Sequence, residues 1–105
     1  MAPDIDRVFH ALGDPTRRAI LARLTKGPIS VSSLAEPLGV TITAIGQHLR
    51  VLEETGFVST EKAGRTRNCR LESDGFRAVE RWASQQRSTW ERRLDVLGKL
   101  LKEND

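Results

Sequence analysis

The sequence predicts a mainly α-helical fold of five helices and one two-stranded β-hairpin. Three observations lead to this prediction. Apolar residues recur at helical spacing along most of the chain, capping residues and glycines divide it into segments, and residues 57–71 replace the helical pattern with short strand-like runs. The predicted order is helix, helix, a pair of helices joined by a tight turn, hairpin and a long final helix.

The first two helices are separated by a clear stop and start. Ile5, Val8, Phe9 and Leu12 have helical spacing, and Gly13 ends their helix. In "DPTRRAILARLTKG", the aspartate can cap the next helix, the proline suits its first position, and the Gly-Pro that follows terminates it. The inward face of this second helix is aliphatic, with Ile20, Leu21 and Leu24.

The third helix is predicted within "ISVSSLAEPLGV", beginning near Ser30 or Val31. Proline can hardly occupy a helix interior, so the helix should stop just before or around Pro37, with Gly39 in the turn. The fourth helix then runs through "TITAIGQHLRVLEETG", with Thr41 as its N-cap and the final glycine just past its end.

The fourth helix has an apolar face and a polar face. At about 100° per residue, Ile45, Leu49 and Leu52 share one face, with Ile42 close to it. The opposite face could simply be solvated, or it could bind a partner. This polar face consists of Thr43, Gln47, Arg50 and Glu54. Small hydroxyl, amide and guanidinium groups can pair with base edges or phosphates.

The hairpin is predicted from "FVSTEK" and "TRNCRL", which flank the turn "AGR". Arg65 lies at or beside its tip, and Arg67 and Arg70 lie on the return strand. A pair of helices with a basic hairpin beside it can enter a DNA groove and grip the flanking backbone.

The last helix is predicted from about Ser73 to near the end of the chain. Residues 74–102 would form a helix roughly 40 Å long. A domain of this size cannot cover the apolar stripe along the whole of that length. The stripe could fold back on its own core, or it could pair with a second copy in a symmetric dimer, with the face of the first helix completing the interface. The predicted dimer interface comprises Ile5, Phe9, Trp82, Trp90, Leu94, Leu97 and Leu101.

Composition narrows the class of protein. The 105 residues predict one domain, 1–105, with a net charge of +3 and a sequence pI of about 9.6; of 17 basic residues, 13 are arginine. There is no apolar run of membrane-spanning length and no signal-peptide centre. The single cysteine, Cys69, excludes an internal disulfide and suits a reducing cytosol, so a cytoplasmic location is expected.

Three stretches carry a family resemblance: "LGDPTRRAILARL", "LAEPLGVTITAIGQHLRVLEETGFV" and "KAGRTRNCRL". They resemble the ArsR/SmtB family of winged-helix transcriptional repressors, and "RWASQQRSTWERRLDVL" further resembles the SdpR-like branch. The resemblance implies a winged helix-turn-helix and a homodimer. The dimer would be joined through helices at about 4–12 and 74–102, and would bind double-stranded operator DNA of two-fold symmetry.

By the same resemblance, residues 41–55 form the recognition helix and residues 57–71 the wing. For His48, near the edge of the buried face, a packed and hydrogen-bonded role stays as open as a phosphate contact. The implied DNA-binding residues are Thr41, Thr43, Gln47, His48 and Arg50 on the helix, and Lys62, Arg65 and Arg67 on the wing.

The sequence predicts no cofactor and no metal site of the family's usual kinds. The segment before the recognition helix has no cysteine or histidine, and the last helix has no histidine. Only His10, His48 and Cys69 are present elsewhere, each on a different element. Cys69 could be a redox sensor favoured by nearby arginines, or a small buried residue, and strand alternation leaves both open. An inducer, small molecule or protein, is not identified.

Two further alternatives concern function. The recognition face could meet a protein instead of DNA, and Glu53 and Glu54 lend this some support because they would repel phosphate. An enzyme is not expected, because no nucleophile elbow, phosphate-cradling loop or cluster of acids is present. Gly46 departs from the family, which usually has serine there. It could permit close backbone approach to DNA, or it could be a lost contact.

Overall fold

A computed structural model describes residues 4–103, which form five helices and a three-stranded antiparallel sheet. The first three and last two residues of the predicted domain lie outside this description. In chain order the elements are α1 (Ile5–Leu12), α2 (Pro15–Leu24), β1 (Ile29–Ser30), α3 (Val31–Leu38), α4 (Ile42–Glu54), β2 (Val58–Ala63), β3 (Thr66–Leu71) and α5 (Asp74–Glu103). The predicted five helices and hairpin are confirmed.

The helices begin where side-chain caps are available. Asp14 accepts a hydrogen bond from the backbone N–H of Arg17, and Ser30 and Thr41 accept from the backbone of residues 33 and 44. Each cap satisfies an N–H that the first helical turn leaves without a partner. The predicted starts of α2, α3 and α4 are confirmed, since all three depend on local chemistry.

Two details of the prediction need correction. α3 includes Pro37 and ends one residue later, at Leu38. The proline occupies the last turn, and Gly39, with a φ of +68°, closes the helix by donating to the carbonyl of Glu36. The sheet also has a third strand: β1 pairs with β3, Ile29 opposite Cys69, so the order is β1-β3-β2.

Among the described residues, the hydrophobic core is aliphatic apart from one aromatic ring and one cysteine. Phe57 is fully buried where α4 ends, and it meets Phe76 of α5 edge to face at 4.9 Å between ring centroids. Gly75 lies directly against Phe57, and its N–H donates to the carbonyl of Gly56 at 2.8 Å. This close crossing fixes the start of α5 to the end of α4. The other fully buried large side chains are Val8, Ile20, Leu34, Ile45, Leu52 and Cys69.

α5 extends well beyond the rest of the domain. Its 30 residues make a helix about 45 Å long, and the described chain measures 71 × 29 × 22 Å. The radius of gyration is 19.3 Å, whereas a compact chain of this length has a value of about 13 Å. Among residues 4–103, only the first part of α5 packs on the other elements, and there Trp82 meets Phe9 of α1 edge to face with ring centroids 5.0 Å apart.

Candidate nucleic-acid interface

α4 presents a continuous exposed polar face. Thr43, Gln47 and Arg50 are exposed, while Ile45, Leu49 and Leu52 are buried on the other side. Arg50 is 82% exposed and lies 3.6 Å from the Glu54 carboxylate one turn later. Three groups able to pair with base edges therefore project from one side of a helix that the core holds from the other.

Ile42 departs from the sequence prediction. It was expected close to the buried face, but it is 59% exposed. As the first residue of α4, it lies beyond the edge of the core that Ile45 and Leu49 contact. Thr41 is also exposed, and its hydroxyl oxygen caps α4 by accepting from the Ala44 N–H at 3.1 Å. The start of α4 thus exposes an apolar side chain, which helical periodicity alone did not indicate.

Gly46 lies on the exposed side of α4 with open space around it. A Cβ atom at this position would meet nothing within 4 Å among the described residues. The glycine is therefore not required by packing inside the chain.

His48 belongs to a different environment from its neighbours on α4. Its side chain is only 22% exposed, with Nδ1 3.4 Å from a guanidinium nitrogen of Arg17 and 3.8 Å from the Asp14 carboxylate. A backbone hydrogen bond from Arg17 is the main cause that keeps the pKa of Asp14 below its usual value; burial opposes it, and the Arg17 charge and the nearby His48 ring lower it further. The packed interpretation of His48 fits this geometry.

The wing ends in a two-residue turn. Ala63 and Thr66 are paired across the strands, so Gly64 and Arg65 form the turn, and Gly64 has a φ of +62°. Positive φ at the first turn residue is what a type II′ hairpin requires, and glycine supplies it without strain. Arg65 is exposed at the tip, as predicted.

Lys62 and Arg67 lie directly opposite each other across the two strands, and both are exposed. Arg67 also donates to the Thr60 hydroxyl at 2.7 Å, and that hydroxyl donates to the Glu53 carboxylate at the end of α4. The wing and α4 are therefore joined by side-chain hydrogen bonds. Glu53, which was expected to repel phosphate, is instead engaged with the wing.

Cys69 lies in the core, at 0% exposure. Burial, with a smaller effect from the Glu53 carboxylate, raises the pKa of its thiol to about 11. A thiol sensor needs an accessible thiolate, so this position does not suit one. Within residues 4–103, no three histidine, cysteine or acidic side chains converge as metal ligands would.

The predicted dimer residues divide into two groups. Phe9 and Trp82 contact each other within the chain and stay 38% and 42% exposed, while Ile5 is half-buried against the core. The second group, Trp90, Leu94, Leu97 and Leu101, is 52–66% exposed, and Val96 and Leu100 of the same helix are 57% and 51% exposed. No helix in the described part of the chain is long and apolar enough to cross a membrane.

Known proteins share both the sequence and this arrangement. A helix-turn-helix domain model matches residues 12–61. The HTH-type transcriptional regulator Rv2034 of Mycobacterium tuberculosis is 43% identical over 74 residues, which cover 70% of this chain and 69% of the relative. The chain belongs to the ArsR family of winged helix-turn-helix transcriptional regulators. It is a DNA-binding transcriptional regulator with a winged helix-turn-helix fold.

A further relative and two solved structures support the assignment. The transcriptional repressor SdpR of Bacillus subtilis is 33% identical over 60 residues, covering 57% of this chain and 67% of the relative. The crystal structure of an ArsR family transcriptional regulator, RHA00566, is 42% identical, with a TM-score of 0.78 over 87% of this chain and 97% of that one. A homodimeric winged helix-turn-helix DNA-binding domain, Mb0332 from Mycobacterium bovis, is 26% identical, with a TM-score of 0.63 over 83% and 79%.

Proposed function

We propose that this regulator is a cytoplasmic homodimeric repressor that binds an operator of two-fold symmetry through α4 and the wing. The observation that carries the proposal is the exposed polar face of α4, flanked by wing cations and held rigidly by the core on its opposite side. A helix of this kind fits the major groove, where each base pair presents a distinct pattern of donors and acceptors.

On α4, each exposed group has a suitable DNA partner. Gln47 can form two hydrogen bonds with adenine, and Arg50 can bind guanine or phosphate. Thr43 can bond to a base edge or a phosphate, and Thr41, whose oxygen caps the helix, can still donate its hydroxyl proton. Ile42, exposed at the first turn, suits contact with a thymine methyl group.

On the wing, Lys62 and Arg67 lie opposite each other on neighbouring strands. Like charges directly opposite each other on neighbouring strands destabilise the pair. A DNA phosphate near Lys62 and Arg67 would relieve this repulsion, and Arg65 at the tip could reach the backbone or the minor groove. Contacts of this kind position the protein on DNA without reading sequence.

The second half of the proposal is the dimer. The far part of α5 carries six large apolar side chains that are each more than half exposed, and a solvated surface of that kind is unusual in a monomer. A second copy of the chain would bury this surface in a symmetric interface. The similar domain Mb0332 is described as homodimeric. The partly exposed Phe9–Trp82 pair would extend this interface onto α1. Two-fold symmetry would then set the two α4 helices about one DNA turn apart, roughly 34 Å.

Sedimentation tests the dimer. We expect wild type to be a dimer at micromolar concentration, and the double variant Leu94→Glu with Leu97→Glu to be a folded monomer, because four buried charges would meet in the interface. Lys99→Glu, an exposed charge change on the polar side of the same helix, is the matched control and should stay dimeric. A monomeric wild type would contradict the dimer.

Selection of bound duplexes from a random pool tests the operator. At a stated salt concentration, wild type should enrich a symmetric site with half-sites about one turn apart. Its affinity should fall steeply as salt rises, because Lys and Arg contacts release counterions. Enrichment of no sequence, together with salt-insensitive binding, would favour the protein-binding alternative instead.

Three negative parts of the proposal remain. We propose that the protein has no catalytic role, that it needs no cofactor, and that its regulation does not depend on a bound metal. The scarcity of histidine and cysteine supports the last point, as does the burial of Cys69. These residues do not specify an inducer.

A further inference from the structure

The "DPTRR" segment at the start of α2 supplies a guanidinium group that bridges two other helices. Arg17 donates from Nε to the carbonyl of Ala11 at 2.8 Å, and from a terminal nitrogen to the carbonyl of His10 at 3.0 Å. Both carbonyls lie in the last turn of α1, where the helix dipole is negative, and the His10 carbonyl also accepts from the Gly13 N–H at 3.2 Å. Arg17 therefore holds the C-terminal end of α1.

The other terminal nitrogen of Arg17 faces α4. It lies 3.4 Å from Nδ1 of His48, which can accept a hydrogen bond as a neutral imidazole. The backbone N–H of Arg17 is itself fixed by the Asp14 carboxylate at 2.9 Å. Because both its main chain and its side chain are held, Arg17 forms a defined connection between α1 and the middle of α4.

This connection joins the two halves of the molecule. α1 packs against α5 through Phe9 and Trp82, so it belongs to the unit that carries the exposed apolar surface. α4 carries the polar face that meets DNA. In a symmetric dimer, the separation of the two α4 helices depends on how rigidly each one is fixed to the unit that forms the interface.

We propose that Arg17 is a positioning residue for operator recognition: its guanidinium, by binding the end of α1 and facing His48, sets the half-site spacing that the dimer accepts. The inference rests on the proposed function, since it requires a dimer on a symmetric operator. A positioning residue changes the preference among spacings. A residue that only stabilises the fold, or that contacts phosphate, changes the affinity for all spacings alike.

The test uses the duplex recovered by selection with wild type, rebuilt with one or two base pairs added or removed between its half-sites. We expect wild type to bind the original spacing about tenfold more tightly than the altered duplexes. In Arg17→Gln and Arg17→Lys this preference should shrink to about twofold, with affinity for an isolated half-site unchanged. Lysine keeps the positive charge near α1, so that variant should stay folded, but a single ammonium lacks the fork that reaches both helices.

Arg18→Gln is the matched control. Arg18 also donates to the end of α1, at the carbonyl of Leu12. This is the one hydrogen bond that its side chain makes within residues 4–103. The Arg18→Gln variant removes the same charge one residue away from Arg17. Its spacing preference should equal that of wild type. Thermal unfolding of all variants by circular dichroism establishes that they are folded at the binding temperature.

Two results would overturn the inference. The first is an undiminished spacing preference in both Arg17 variants. The second is an equal loss of affinity at every spacing with a salt slope lowered by about one, which would make Arg17 a phosphate contact. Failure of wild type to select a symmetric site would instead overturn the proposed function, so the two failures can be told apart.

Discussion

The substitution Gly46→Ala isolates the effect of one side chain on α4, the proposed recognition helix. Gly46 lies within α4, is exposed, and has nothing within 4 Å of where a Cβ would stand. Alanine removes backbone freedom from the unfolded chain without a clash in the folded one. Glycine is about 0.8–1.0 kcal/mol less favourable than alanine in a helix interior, so the free energy of unfolding should rise by about 1 kcal/mol.

Urea unfolding followed by circular dichroism measures this gain at a fixed protomer concentration. For a domain of this size, a gain of about 1 kcal/mol corresponds to a rise in Tm of about 4–5 °C. Gly75→Ala is the matched control, because the same methyl group there would lie 2.7 Å from the buried Phe57 ring. Overpacking of this kind typically costs about 1–3 kcal/mol. A Gly46→Ala variant no more stable than wild type would refute the reasoning.

Gly46→Ser tests how the absence of a side chain at this position affects operator binding. Serine adds a hydroxyl at an exposed position without disturbing the core. Tighter operator binding would mean that this chain lacks a phosphate contact. Weaker binding by a variant of unchanged or higher stability would mean that the helix backbone approaches DNA closely and needs the missing side chain. Stability and affinity must therefore be measured on the same preparations.

Three other predictions follow from the same structure. Arg65→Ala with Arg67→Ala should weaken binding to all sequences alike and reduce the slope of log affinity against log salt by nearly two; binding as tight as wild type would remove the wing from the interface. The Cys69 thiol should react with a disulfide reagent at pH 8 only after unfolding, since burial raises its pKa to about 11; rapid reaction of the native protein would contradict this. Asp14→Asn should be less stable than wild type at neutral pH, and this difference should vanish on acidification. Folding lowers the pKa of Asp14, so the charged carboxylate stabilises the fold above about pH 3.8. That stabilisation is lost as the pH falls through the lower pKa of the folded state. An equal difference at pH 7 and pH 2 would argue against a role for the charge.

Local chemistry explains most of what could be predicted from the sequence. Asp14, Ser30 and Thr41 cap their helices through their own side chains, and Gly64 permits the turn of the wing, so neighbouring residues suffice to place these boundaries. The exposed face of α4 follows from helical periodicity in the same way, so the exposure of Gln47 could be predicted, whereas its contact with DNA stays a prediction.

Features that depend on distant residues could not be predicted. β1 has only two residues and exists because Ile29 and Ser30 pair with β3, almost forty positions later. The environment of His48 depends on Arg17, which lies on another helix. Ile42 has helical spacing with the core residues, but its exposure depends on where the core ends. None of these is contained in a local pattern.

The central claim is that the exposed face of α4 reads an operator of two-fold symmetry. The most direct test is to select bound duplexes from one random DNA pool in parallel with wild type and with Gln47→Ala. Both proteins should enrich a symmetric site with the same half-site spacing. The variant should lose discrimination at one mirrored position in each half-site, by about 1–3 kcal/mol per bidentate contact. Identical base preferences in the two selections, or an asymmetric wild-type site, would contradict the account.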